Sequence, residues 1–166
     1  MTHRIALLSA GLALIPSALL SQTKPHVHGQ ATLDIGIEGS AGTIEFRAPA
    51  DDLYGFEHAP RTAAERAARD SAFARLRRDG ATLVRFEPSL GCTLTATAVG
   101  STEEKRGHGD IRATYALSCR KAPAGKPVTF GFSKAFPGVR TVKVQLVSDT
   151  AQVGLTVAND RGVVRP

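Results

Sequence analysis

From residue 31 onward the apolar residues fall in short alternating runs broken by turn formers, and that rhythm leaves few folds open. Leu33, Ile35 and Ile37 alternate with Thr32, Asp34 and Gly36, the period of two that marks a half-buried strand over residues 31–38. Gly39-Ser40-Ala41-Gly42 supplies a turn, and residues 43–48, with Ile44 and Phe46 facing inward, return as the second strand of a hairpin that Pro49 ends. The same reading places strands at 82–87, 92–99, 111–119, 128–132, 141–148 and 152–158. Turn residues such as Pro88-Ser89, Phe136-Pro137-Gly138, Asp149-Thr150 and Asn159-Asp160 separate several of them.

Only one stretch carries a helical period. Over residues 63–79, Ala64, Ala68, Ala72 and Leu76 form a stripe with Phe73 beside it. Thr62 and Glu65 have the spacing of a capping box at its start, and Gly80 is the expected stop. The predicted fold is therefore α+β: a mostly antiparallel β domain of about eight short strands with one main helix, because the connections are too short for crossovers.

Ahead of this domain, His3 and Arg4 precede an apolar run from residue 5 to 14, with Pro16, Ser17 and small residues at Ala18 and Ser21. This is the layout of a secretory signal peptide over residues 1–21, too short in its apolar part to span a bilayer. The expectation is an exported chain with no membrane insertion once the signal is removed, and residues 22–166 suit a single domain. Cys92 and Cys119 are the only two cysteines of the 166 residues, so an exported chain has one intramolecular pairing to make, and a disulfide is predicted. Closing a loop of that size stabilises by on the order of 3.5 kcal/mol in the chain-entropy model. The net charge of +6 invites a nucleic-acid partner. The arginines, however, cluster among acids on the helix and no aromatic stacking series accompanies them, so none is expected.

Chemistry-bearing residues concentrate in two short motifs, His26-Val27-His28-Gly29 and Gly55-Phe56-Glu57-His58-Ala59-Pro60. In an extended chain His26 and His28 point to one side and can offer two imidazoles to one ion. Pro60 disfavours a helix at Ala59, which puts His58 on a loop. His108 and Asp110 flank Gly109 in a turn. Each of these histidines lies beside glycine, proline or an acid, and none sits mid-strand in an apolar run. With the cysteines paired, His26, His28, His58 and His108 together with Glu57 and Asp110 are the candidate metal ligands, and zinc, which takes imidazole and carboxylate, is the expected ion. Asp110 is a ligand, an orienting group, or a turn aspartate closing Gly107-His108-Gly109. Glu57 and His58, as neighbours in an extended segment, would point apart, so only one of them is expected at the ion.

Catalytic signatures are missing: there is no His-Glu-x-x-His helix, no nucleophile elbow and no phosphate loop. No enzyme is expected. Two other readings stay open, an envelope interaction or structural domain with incidental histidines, and a zinc hydrolase with an open coordination position.

The leader, His26-Val27-His28-Gly29-Gln30-Ala31, Glu38-Gly39, Pro49-Ala50-Asp51-Asp52-Leu53, Gly55-Phe56-Glu57-His58-Ala59-Pro60, Gly91-Cys92, His108-Gly109-Asp110, Tyr115-x-x-x-Cys119 and Phe136-Pro137 together resemble the ZrgA-type family of periplasmic zinc-uptake proteins. The likeness runs through essentially the whole chain after the leader. It implies a periplasmic zinc-binding protein that captures or buffers zinc beside a transport system, with a zinc transporter or its accessory proteins as partners. Carried over by position, His26, His28, His58 and His108 match the pattern's histidines, and Glu57 and Asp110 its adjacent acids. The loop between the cysteines, often long and crowded with histidine and acid in that family, is short here over residues 100–109 and has His108 as its one histidine.

Overall fold

The computed structural model describes residues 27–103 and 109–166; the signal segment, His26 and His108 lie outside the described residues. The alternation read from residues 31–38 and 43–48 becomes the hairpin β1 (Gln30–Glu38) and β2 (Ala41–Pro49). Its two-residue turn leaves Glu38 paired with Ala41, and Gly39 adopts φ +55°, the left-handed region that glycine enters without a Cβ clash. After the helix α1 (Ala50–Tyr54) come the main helix α2 (Ala63–Arg78), a single turn α3 (Gly80–Leu83) and the short strand β3 (Val84–Arg85). The long hairpin β4 (Thr93–Glu103) and β5 (Gly109–Ser118) follows, then β6 (Thr129–Phe130), the single turn α4 (Phe132–Ala135), and β7 (Thr141–Val147) with β8 (Gln152–Ala158).

Six strands form one sheet in the order β4-β5-β2-β1-β7-β8, while β3 pairs with β6 in a separate ribbon. All pairings are antiparallel except β1 with β7, which run parallel. The short connections fix the direction only of strands that follow one another. Between β1 and β7 the chain passes through most of the fold, ample for the crossover that parallel strands require.

One face of the sheet is solvated and the other carries the core. Leu33, Ile35, Ile44, Phe46, Ile111, Tyr115, Val142, Val144 and Leu146 are buried on the core face. Helices and the β3–β6 ribbon cover it, with the Phe132 ring stacked 4.5 Å from that of Phe46. Helix α2 begins with the predicted capping box: Thr62 Oγ1 accepts the Glu65 N–H, and Glu65 accepts the Thr62 N–H. Of its predicted stripe, Ala72 and Leu76 are buried, whereas Ala64 is exposed, so only the C-terminal half is seated on the sheet. There the buried Tyr115 hydroxyl donates to the Leu76 carbonyl at 2.9 Å, satisfying an acceptor in the helix's last turn.

Several local expectations shift. Gly80 does not stop α2, which ends at Arg78 with Asp79 as its cap; Gly80 opens α3 instead. Its value is space, since a Cβ there would stand 3.0 Å from the Tyr115 ring. Predicted strands 82–87 and 128–132 shrink to Val84–Arg85 and Thr129–Phe130, with α3 taking residues 82–83 and α4 taking residue 132. Three helices of four or five residues thus accompany the main one. The Cys92–Cys119 disulfide is formed and joins the open ends of the β4–β5 hairpin. No helix among the described residues is long and apolar enough to cross a membrane.

Candidate metal centre

The topology gathers the motif residues at one end of the main sheet. Pro49 at the end of β2 pairs with Asp110 near the start of β5, Thr102 near the end of β4 pairs with the same residue, and Gln30 at the start of β1 pairs with Thr141 at the start of β7. The turn before β1, helix α1 after β2, the loop carrying Glu57 and His58, and the start of β5 therefore open on the same side.

His28 stands on a reverse turn. The Gln30 N–H donates to the Val27 carbonyl at 3.0 Å, and Gly29 follows His28 at φ +79°, as the third residue of a type II turn requires. This departs from the extended conformation expected for the motif, so the side chain of His28 is aimed by a turn and not by strand alternation. Its imidazole is 54% exposed. Gly29 has little room for a side chain, because a Cβ would lie 2.5 Å from the Arg140 guanidinium.

Helix α1 brings two carboxylates to this turn. Ala50 is buried, Gly55 closes the helix at φ 90°, and Asp51 and Asp52 occupy the first turn, where negative side chains are favoured by the backbone dipoles. Successive helical residues diverge by roughly 100°, and the two acids part accordingly. Asp51 faces out, 46% exposed, with Oδ2 3.6 Å from His28 Nδ1. Asp52 faces in, 8% exposed, and both its oxygens accept the Gly29 N–H, at 2.8 and 2.7 Å. Burial pushes the Asp52 carboxyl above the usual carboxylate range, opposed by the Gly29 hydrogen bond and by the charges of His28 and Arg140.

Past Gly55 the chain runs as a loop, as Pro60 predicted, and the neighbours Glu57 and His58 separate. Glu57 reaches back to the turn: its Oε1 lies 3.6 Å from His28 Nε2, with its side chain only 13% exposed. His58 leans toward helix α2, its Nε2 4.0 Å from Glu65 Oε1, its Nδ1 3.0 Å from the Ala59 carbonyl, and its ring stacked on Phe56 at 5.1 Å. The Glu65 carboxyl is held below its usual range, first by the Arg61 N–H and then by the Thr62 N–H. Behind Glu57, Gly109 is packed so closely that a Cβ would lie 2.9 Å from the Glu57 carbonyl oxygen. Asp110 follows, with its Oδ1 buried.

Of the residues singled out in the sequence, the structure thus brings His28 and Glu57 together, sets His58 beside Glu65, and roots Asp110 at the same sheet end. Asp51 and Asp52 were not among the candidate ligands. The signal that marks them is an acidic pair one residue beyond the strand-ending Pro49, after Ala50. Among the described residues, ligand atoms of His28, Asp51 and Asp52 lie within 4.8 Å of one another.

The donor set is imidazole nitrogen and carboxylate oxygen, with both cysteines committed to the disulfide. At 3.6 Å, each carboxylate is too far from the ring nitrogen for a hydrogen bond. Two donors of one tetrahedral zinc, bound at about 2.0–2.2 Å, stand roughly 3.4 Å apart. Each spacing, on its own side of the His28 ring, is compatible with a nitrogen and a carboxylate shared by one ion.

No individually curated protein matches the chain. The model of the family described as ZrgA family zinc uptake protein matches residues 25–166, which includes both histidine motifs, the acidic pair and the two cysteines. The chain belongs to the ZrgA family of zinc uptake proteins.

Proposed function

We propose that this chain is a periplasmic zinc-binding protein that captures or buffers zinc for a transport system, and that it works as a carrier and not as an enzyme. The observation that carries the reading is the His28 imidazole flanked at 3.6 Å by Asp51 on one ring nitrogen and by Glu57 on the other. Zinc engages one nitrogen with the carboxylate on that side. The other carboxylate stands 3.6 Å from the remaining ring nitrogen, on the side from which an acid can orient a metal-bound histidine. The remaining positions of a four-coordinate ion are proposed to be filled from among His26, His58, His108 and Asp110. Residues 1–21 serve as the signal peptide, and residues 22–166 form a single zinc-binding domain. Its partners are the zinc ion and a zinc transporter or its accessory proteins.

Exposure suits cargo. An imidazole and a carboxylate that are each about half open to solvent can exchange their ion with a partner, whereas a structural zinc site is closed by four protein ligands.

Calorimetric titration of zinc into the chain lacking residues 1–21 tests the proposal. Saturable binding is expected at pH 7.5, with His28→Ala losing it and His58→Ala weakening it by a smaller factor. Affinity should fall as pH drops through about 6.5, where imidazole takes up a proton in competition with the metal. Wild-type affinity in His28→Ala would remove the proposed site.

A further inference from the structure

We infer that Asp52 is the positioning residue of the zinc site: its buried carboxylate holds the Gly29 N–H and so fixes the turn that presents the His28 imidazole to the ion. The inference rests on the proposed zinc-binding reading and adds a division of labour between adjacent acids, Asp51 offered to the ion and Asp52 to the backbone.

Three observations separate the two roles. Asp51 lies in the open beside the ring, whereas Asp52 is 8% exposed and both of its oxygens lie within 2.8 Å of one backbone nitrogen. Gly29 is also held from its other side, its carbonyl accepting the Arg140 and Thr141 N–H groups at 3.0 and 2.9 Å and the Thr141 hydroxyl at 3.2 Å. The peptide units on both sides of this glycine are thereby anchored, one to α1 and one to the start of β7. The α1 anchor is itself backed by Gly138, where a Cβ would meet the Asp52 carbonyl oxygen at 2.3 Å.

Burying a carboxylate for a single N–H is costly to the fold, and a neutral acceptor would satisfy that amide at less expense in desolvation. The return falls on the next residue. His28 is tied in sequence to the anchored glycine, so its ring is held in place between Asp51 and Glu57 without any direct bond to Asp52. A fixed negative charge behind the turn also favours a dication in front of it.

Zinc titration of Asp52→Ala, Asp52→Asn and His28→Ala, each in the chain lacking residues 1–21, tests the assignment, with cobalt(II) absorption as a report on the ligand set. Asp52→Ala should bind zinc about tenfold or more weakly, the usual effect of removing a group that orients a metal ligand. Asp52→Asn, whose amide oxygen still accepts the Gly29 N–H, should lose less and keep the wild-type cobalt band shape. Asp52→Asn as weak as Asp52→Ala, with an altered cobalt spectrum, would make Asp52 a direct ligand and overturn the inference. Wild-type affinity in Asp52→Ala would overturn it as well. Wild-type affinity in His28→Ala would instead overturn the zinc site on which it rests. Amide exchange at Gly29 gives a readout independent of the alanine variant. Faster exchange in Asp52→Asn, in step with its lost affinity, supports the positioning role, and lost affinity with unchanged exchange contradicts it.

Discussion

Tyr115 and His28 show at the residue scale how one side chain serves the fold and another the site. The Tyr115 hydroxyl is buried and donates to the Leu76 carbonyl, and burial, with the Asp79 charge adding to it, pushes the phenol well above its ordinary value. Below about pH 10 the phenol is protonated in both folded and unfolded chains, and the hydrogen bond contributes in full. Above that pH the unfolded chain ionises first, so stability falls as pH rises toward the folded value. Tyr115→Phe should cost about 1 kcal/mol at neutral pH, and the gap from wild type should shrink between pH 10 and 11.5 in denaturant titrations. A gap independent of pH would show that the Tyr115 hydroxyl does not ionise later in the folded chain than in the unfolded one. His28 and Glu57, which meet at the sheet end, could be singled out in the sequence because they sit in glycine- and proline-bounded runs with no apolar period. Asp51 and Asp52 were not, because their separation depends on a helix of five residues, too short to leave a period. The turn at His28 was equally hidden, since the Gly29 N–H finds its acceptor 23 residues away.

Elements with a period of their own were readable, and those made by tertiary contact were not. Five of the six strands of the main sheet run within about two residues of their predicted bounds, the scatter expected for element ends; β4 alone extends well past its predicted end, to Glu103. Its extension comes from pairing with β5, which no local pattern records. The capping box of α2 was legible from Thr62 and Glu65 alone. With Ala72 and Leu76 as the residues of α2 that are buried, its first two turns depend on that box and have little packing to replace it. Thr62→Ala should therefore cost about 1 kcal/mol and speed amide exchange at the start of α2, leaving Ala72 to Leu76 protected. Uniform loss of protection along the helix would show that the cap is not a local device. The single turns α3 and α4, and the parallel pairing of β1 with β7, arise from packing and from strands distant in sequence.

On the scale of the whole molecule, the fold divides its labour between a covered face and one end. The covered face holds the core, and the β4–β5 hairpin is tied at its open end by the disulfide. At the far end of the sheet from that tie, the turn before β1, helix α1 and the loop to α2 deliver an imidazole and three carboxylates from residues 28 to 57. That convergence follows from strand order, because β1, β2 and β5 are neighbours and the segments entering or leaving them at this end must share one edge. Membership of the zinc uptake family covers the same residues. A ligand that binds the folded chain and not the unfolded one must raise its melting temperature. The most direct measurement is thermal unfolding of the chain lacking residues 1–21 with and without zinc, for wild type and His28→Ala. A higher midpoint with zinc is expected in wild type and no shift in His28→Ala; an unshifted wild-type midpoint at saturating zinc, or an equal shift in both proteins, would rule out zinc binding at His28.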